Sequence, residues 1–112
     1  MRKLTFCLVP ATLVIAGLAF AQGKKGGGAG DAAKGKEVFE QCSVCHNTDT
    51  DDVKVGPSLK GLFKHDKLKN GSKVTEMSVR AMINTGGNGM PAFGDLLSDT
   101  EKTDLIAYLK TL

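Results

Sequence analysis

The chain has no Trp, a single Tyr and only two His among its 112 residues. Large rings normally supply much of a core's bulk, so a core built from this sequence must find that bulk elsewhere. Charge of one sign is also lacking: the net formal charge of +3 is too small to argue for nucleic-acid binding by itself. No segment alternates apolar and polar residues for long enough to read as a strand, so the sequence points to an all-α fold. There is no internal repeat. What is present is ordinary globular composition, 41% apolar and 24% charged, which excludes a wholly disordered chain and a multi-span membrane protein. The length allows one domain, or one domain plus a leader.

The three Cys form an odd set, which processing explains. Residues 1–21 have the three parts of an export signal: Arg2 and Lys3 at the start, an apolar run from Leu4 to Phe20, and small residues at Ala19 and Ala21 where a signal peptidase reads. Cleavage is expected after Ala21. The competing reading is an uncleaved anchor, but the run is slightly shorter than the roughly 20 apolar residues that span a bilayer, and Pro10 interrupts it. Cys7 lies inside the run and away from the cleavage site, which argues against a lipoprotein. Removing these 21 residues leaves 91, with Cys42 and Cys45 as the remaining thiols. Export places them in an oxidising compartment, where free thiols pair or are used. Residues 22–30 form a flexible Gly/Lys-rich lead-in, and residues 31–112 the folded domain.

Three main helices are expected. Asp31 caps a first helix running to about Gln41, which puts Gly35, Val38, Phe39 and Cys42 on one face. A glycine inside a helix costs about 1 kcal/mol against alanine, and the close approach of another helix at Gly35 would offset that. Gly56-Pro57 forces a turn, and Ser58 to Lys64 reads as a short helix. Thr75 caps a second helix through about Asn84, with Val74 and Val79 as a hydrophobic staple. Thr85-Gly86-Gly87-Asn88-Gly89 ends it in a narrow loop. Ser98 with Glu101 makes a capping box for the last helix, whose Leu105, Tyr108, Leu109 and Leu112 share a face.

The chemistry lies in Cys42-Ser43-Val44-Cys45-His46. Two Cys three apart followed at once by His is the attachment signature of a c-type haem. Thiols at i and i+3 reach two vinyl groups on one porphyrin edge, and the next residue, His46, then lies over the iron. Three other readings compete. A redox disulfide of this spacing usually sits near a βαβ pattern, which is absent. Half a zinc site would lack partners, since His65 is the only other His and there is no second Cys pair. A plain structural disulfide is the third.

A haem iron has a second axial position, for which thioether sulfur is a known partner. Outside the leader the candidates are Met77, Met82 and Met90. Met77 and Met82 sit within the second helix, where core packing is the default reading for Met82. Met90 lies between a glycine loop and Pro91, on extended backbone that can hold it in place, and is the sixth ligand assigned here. His65, in a Lys-rich stretch, is the fallback.

Taken in order, these segments resemble the small class I cytochromes c, the monohaem electron carriers, in their bacterial form. The resemblance runs from about Gly30 to Leu112. Gly30-Asp31, Gly35, Phe39 and Cys42–His46 are similar to the family's N-terminal helix and haem site. Gly56-Pro57-Ser58-Leu59 with Gly61-Leu62-Phe63 is similar to its loop on the His side. Gly89-Met90-Pro91-Ala92-Phe93 is similar to its Met-ligand loop, and Asp104 to Leu109 to its C-terminal helix. The segment from Leu62 to Val74 follows no particular subfamily pattern.

The resemblance implies a cytochrome c fold wrapped around one haem c with its iron, held by thioethers to Cys42 and Cys45 and by His46 and Met90 as axial ligands. It implies that Gly35 and Phe39 cross Leu105 and Tyr108, that the Pro57 carbonyl accepts from His46, and that Phe63 and Phe93 line the haem pocket. The porphyrin would then supply the missing large ring. The implied function is that of a periplasmic one-electron carrier, a monomer with redox proteins as partners and no catalytic residues. A haem peroxidase or gas sensor with an open sixth site is the alternative. A retained leader would make the domain a membrane-tethered module. Lys54, Lys60, Lys64, Lys67, Lys69 and Lys73 face a single acid, Asp66, within residues 53–73, a net charge of +5, whereas residues 31–52 carry −4. The basic stretch reads as a solvated face or as a docking face for an acidic partner.

Overall fold

A computed structural model describes residues 29–112. The expected export signal, its cleavage site and most of the lead-in therefore lie outside the described residues. Three α-helices follow in order: α1 (Ala32–Phe39), α2 (Glu76–Thr85) and α3 (Asp99–Leu109), with a short 3-10 turn at Leu62–Lys64. No strand forms among the described residues, only isolated bridge pairs at Lys67 with Lys73 and Gly87 with Met90. The all-α expectation is met.

Each helix starts where its cap predicts. Asp31 Oδ1 accepts from the amides of Ala33 at 3.0 Å and Lys34 at 3.3 Å. Thr75 and Ser78 close a reciprocal box at 3.0 and 2.9 Å, and Ser98 and Glu101 another at 3.1 and 2.8 Å. Such caps stabilise a helix by about 1 kcal/mol each. Lys110 is the C-cap of α3, where a cation suits the negative end.

Two helix lengths differ from expectation. α1 stops at Phe39 rather than near Gln41, because from Glu40 onward bonds to the third residue back interrupt the helical ladder, Glu40 to Glu37 at 3.2 Å, Cys42 to Phe39 at 2.7 Å and Cys45 to Cys42 at 3.1 Å, with four-back bonds only from Ser43 to Phe39 and His46 to Cys42, both at 3.0 Å. Three-back bonds tighten the chain beyond helical pitch. Between Ser58 and Lys64 only the last three residues turn, since Gly61 takes a left-handed conformation (φ 63°) that interrupts any continuous helix.

The core is Phe39, Leu62, Val79, Ile83, Leu97, Leu105, Ile106 and Leu109. α3 is its spine: α1 packs extensively on it and α2 more lightly. At the α1–α3 crossing, a Cβ on Gly35 would stand 2.8 Å from Tyr108 Cβ and closer still to the Asp104 carbonyl. The glycine is thus what lets the helices meet. Phe39 and Tyr108 meet beside it at a tilt of 53°, with ring centroids 5.3 Å apart. Asp104 Oδ1 accepts from the Asp31 amide at 2.7 Å, fixing the start of α1 to the middle of α3. The helical pattern anticipated Leu105 and Leu109 but not the burial of Lys102, Asp104 and Ile106. A helix covered by two neighbours buries more than one stripe.

Candidate haem site

The tightened end of α1 carries the two thiols and the imidazole. Cys42, Cys45 and His46 are all half-buried, and the His46 amide bonds the Cys42 carbonyl at 3.0 Å. The Lys54 ammonium donates to the Ser43 carbonyl at 3.1 Å and the Gly56 amide to the Cys45 carbonyl at 2.8 Å, so the turn is braced from the following loop. Burial pushes the Cys42 thiol above its ordinary range, and the neighbouring Cys45 adds to the shift. Cys42 is therefore protonated at neutral pH as long as its sulfur is unbonded.

His46 is held from one side only. Its Nδ1 donates to the Pro57 carbonyl at 2.7 Å, because a carbonyl can only accept. That fixes the tautomer and leaves Nε2 with a free lone pair. Gly56 lies against the ring: a Cβ there would stand 2.5 Å from Cε1 and 2.9 Å from Nδ1. The Gly56-Pro57 pair is thus a cradle shaped to one orientation of one imidazole.

Met90 ends a tight hairpin. The Gly87 amide bonds the Met90 carbonyl at 2.9 Å, and the Met90 amide bonds Gly87 at 3.0 Å. The intervening Asn88 and Gly89 have φ 51° and 89°, the two-positive-φ turn that Asn-Gly favours. Gly86 (φ 60°) lies so close to the following chain that a Cβ would be 2.6 Å from the Pro91 carbonyl oxygen. Met90 itself is half-buried. Of its rivals, Met77 is 81% exposed on α2 and Met82 is half-buried, outside the core cluster that the sequence assigned it to. His65 is exposed, with Nε2 3.1 Å from the Lys60 carbonyl.

Phe63 and Phe93 are half-buried and pack on the core, as do Leu59, Leu68 and Val74. The Lys110 ammonium lies 5.9 Å from the Phe63 ring centroid and pairs with Glu76. Among the described residues no three His, Cys, Asp or Glu gather as a metal-holding group, which leaves the half-zinc reading without partners.

These features fit an iron porphyrin: two thiols at the required spacing, an imidazole with a preset tautomer, a thioether on a rigid hairpin, and apolar side chains packed on the core yet incompletely covered. Comparison with known proteins agrees. Residues 30–109 match the family described as cytochrome c oxidase, cbb3-type, subunit III. Cytochrome c6 of Picosynechococcus sp. is 36% identical over 72% of this chain and 73% of its own. Cytochrome c2 of Blastochloris viridis is 35% identical over 98% of this chain and 93% of its own. Among solved structures, cytochrome c6 of the diatom Phaeodactylum tricornutum superposes with a TM-score of 0.59 at 32% identity, covering 73% of this chain and 93% of that one. The chain belongs to the class I monohaem c-type cytochromes. Its cofactor is covalently bound haem c with iron, and its general role is electron transfer.

Proposed function

We propose that the chain carries single electrons between redox proteins in the periplasm on a haem that Cys42 and Cys45 would hold through thioethers and whose iron His46 and Met90 would bind. The observation that carries this reading is the 2.7 Å bond from His46 Nδ1 to the Pro57 carbonyl, on the residue immediately after the second thiol. It orients the ring and raises the basicity of the other nitrogen toward a metal. The haem supplies a one-electron couple at its iron, and the chain's work is to hold that couple dry and close to the surface. Imidazole and thioether together favour a higher potential than harder ligands, and burial raises it further by disfavouring the extra ferric charge. Phe63 and Phe93 contribute to that burial. No bond to a substrate forms, so no residue acts as an acid, base or nucleophile.

The partner is a redox protein with an acidic face. Lys64, Lys67, Lys69 and Lys73 are exposed, and none of them forms an ion pair among the described residues, whereas Lys60 pairs with Asp51 at 3.9 Å. No described helix is long and apolar enough to cross a membrane.

The test is the absorption spectrum of the exported, haem-loaded protein, oxidised and reduced, before and after carbon monoxide. A low-spin spectrum unchanged by the gas is expected. Rapid carbon monoxide binding would remove Met90 from its role and favour catalysis or gas sensing at an open sixth site.

A further inference from the structure

Lys102 is a buried charge that electron transfer does not use. It lies in α3 beside Leu105, Ile106 and Leu109, on a helix turned toward the core, and only 6% of it is exposed. Burying an ammonium group is costly unless other partners replace its water. Its Nζ donates to the Gly94 carbonyl at 2.7 Å. Its ionic neighbour Asp99 is 3.9 Å away with a side chain 96% exposed, so that pair is screened by water and offsets little. The Gly94 carbonyl is therefore the partner that accounts for the lysine.

Gly94 belongs to the strap that follows Met90. The strap is pinned to the end of α2 through its amides, Phe93 to the Ile83 carbonyl at 2.9 Å and Gly94 to the Asn84 carbonyl at 3.2 Å. Gly94 has no room for a side chain, since a Cβ would stand 2.9 Å from the Asn84 carbonyl oxygen. The carbonyl of the same residue is held by α3 through Lys102. Gly94 is thus clamped from both helices, four residues beyond Met90, while the Gly87–Met90 hairpin closes the near end.

We propose that Lys102 is a positioning residue: by holding the Gly94 carbonyl it stiffens the strap that presents Met90, and so sets how readily an outside ligand displaces the Met90 sulfur. This rests on Met90 being the sixth ligand. The lysine stem carries its ammonium from α3 across to the strap, where the Gly94 carbonyl is the one hydrogen-bond acceptor it meets among the described residues. Its replacement by a side chain of similar length without a donor leaves the core filled and the strap attached to α2 alone.

The experiment compares the haem-loaded wild-type protein with Lys102→Met by two measurements. The first is imidazole titration of the oxidised protein, followed by absorption. The second is hydrogen exchange of the Phe93 and Gly94 amides relative to the amides of α3. Loss of one charge-assisted bond predicts imidazole affinity about tenfold higher, and strap exchange faster by a similar factor relative to α3. Unchanged imidazole affinity, or acceleration of strap and α3 amides alike, would overturn the proposal and leave Lys102 a merely structural residue. Should Lys102→Met fail to accumulate, Lys102→Gln, uncharged and one atom shorter, gives the same readings with smaller effects in the same direction. Failure of the Met90 reading looks different: the wild-type protein itself then binds imidazole as an open site, which overturns the ligand-displacement part whatever the exchange data show.

Discussion

Gly56 has no side chain because the His46 ring occupies the space where one would be. Adding a methyl there must push the imidazole off the Pro57 carbonyl. If His46 is the ligand proposed above, Gly56→Ala is expected to weaken it by about 10- to 100-fold, the usual loss when a ligand's orienting partner is disturbed, read in the absorption spectrum as easier displacement by an added ligand. Cys42 gives a second prediction. Its raised thiol pKa means the folded chain favours the neutral form. With sulfur unbonded, that contribution to stability is full below the ordinary thiol range and is lost as pH rises through the raised value. With both sulfurs in the proposed thioethers neither can titrate, so no thiol reagent is expected to label Cys42 or Cys45 of the haem-loaded protein at any pH. Mass spectrometry after alkylation checks this, and a labelled cysteine would mean that its thioether is absent. The Cys-Cys-His spacing, the Gly-Pro turn and the glycine loop were legible because each is written in a few adjacent positions, although the three lie far apart in the chain. Lys102 was not legible. A lysine in an amphipathic pattern reads as solvated, and only the path of the strap past α3 shows what its ammonium meets.

At the scale of helices, the crossing of α1 and α3 decides the fold. Gly35→Ala places a methyl against the Asp104 carbonyl and Tyr108, so the helices must part. It is expected to destabilise the protein by about 1–3 kcal/mol, the usual cost of overpacking, despite alanine's better helix propensity. Gly71→Ala is the control: its φ is +86° but nothing lies within 4 Å, so only backbone strain of about 1–2 kcal/mol applies. Thermal unfolding of the haem-loaded variants separates the two, with loss of Phe39–Tyr108 contact signals expected only for Gly35→Ala. All three helix starts were readable from their caps, because a cap is written in four adjacent residues. Helix ends were less readable. The stop at Phe39 follows from a change of hydrogen-bond spacing that no residue between Glu40 and Ser43 announces. The burial of α3 on more than one side was hidden for a related reason: periodicity reports one partner, and this helix has two.

At the scale of the whole molecule, an acidic stretch at residues 31–52 is followed by a basic one at residues 53–73. The fold leaves the basic side chains from Lys64 to Lys73 exposed. Electrostatic steering then predicts that association with an acidic redox partner slows as salt is added. Replacing Lys64, Lys67, Lys69 and Lys73 together with Gln should flatten that dependence, while each surface change alters stability by no more than about 0.5 kcal/mol. Stopped-flow rates over a range of ionic strength provide the check, and an unchanged slope would remove these lysines from the docking face. One contact has a bearing on the order of events in making the protein. The bond from the Asp31 amide to Asp104 joins residues 73 apart in sequence. α1 has eight residues, too few to persist in water without a packing surface. That surface belongs to α3, which follows α1 in the chain and so is made after it. Until it arrives, the first helix cannot settle and the loop between them cannot close, since the entropy of closure is recovered only by these distant contacts. Both thiols, Cys42 and Cys45, are thus made before the surface that settles the helix leading into them.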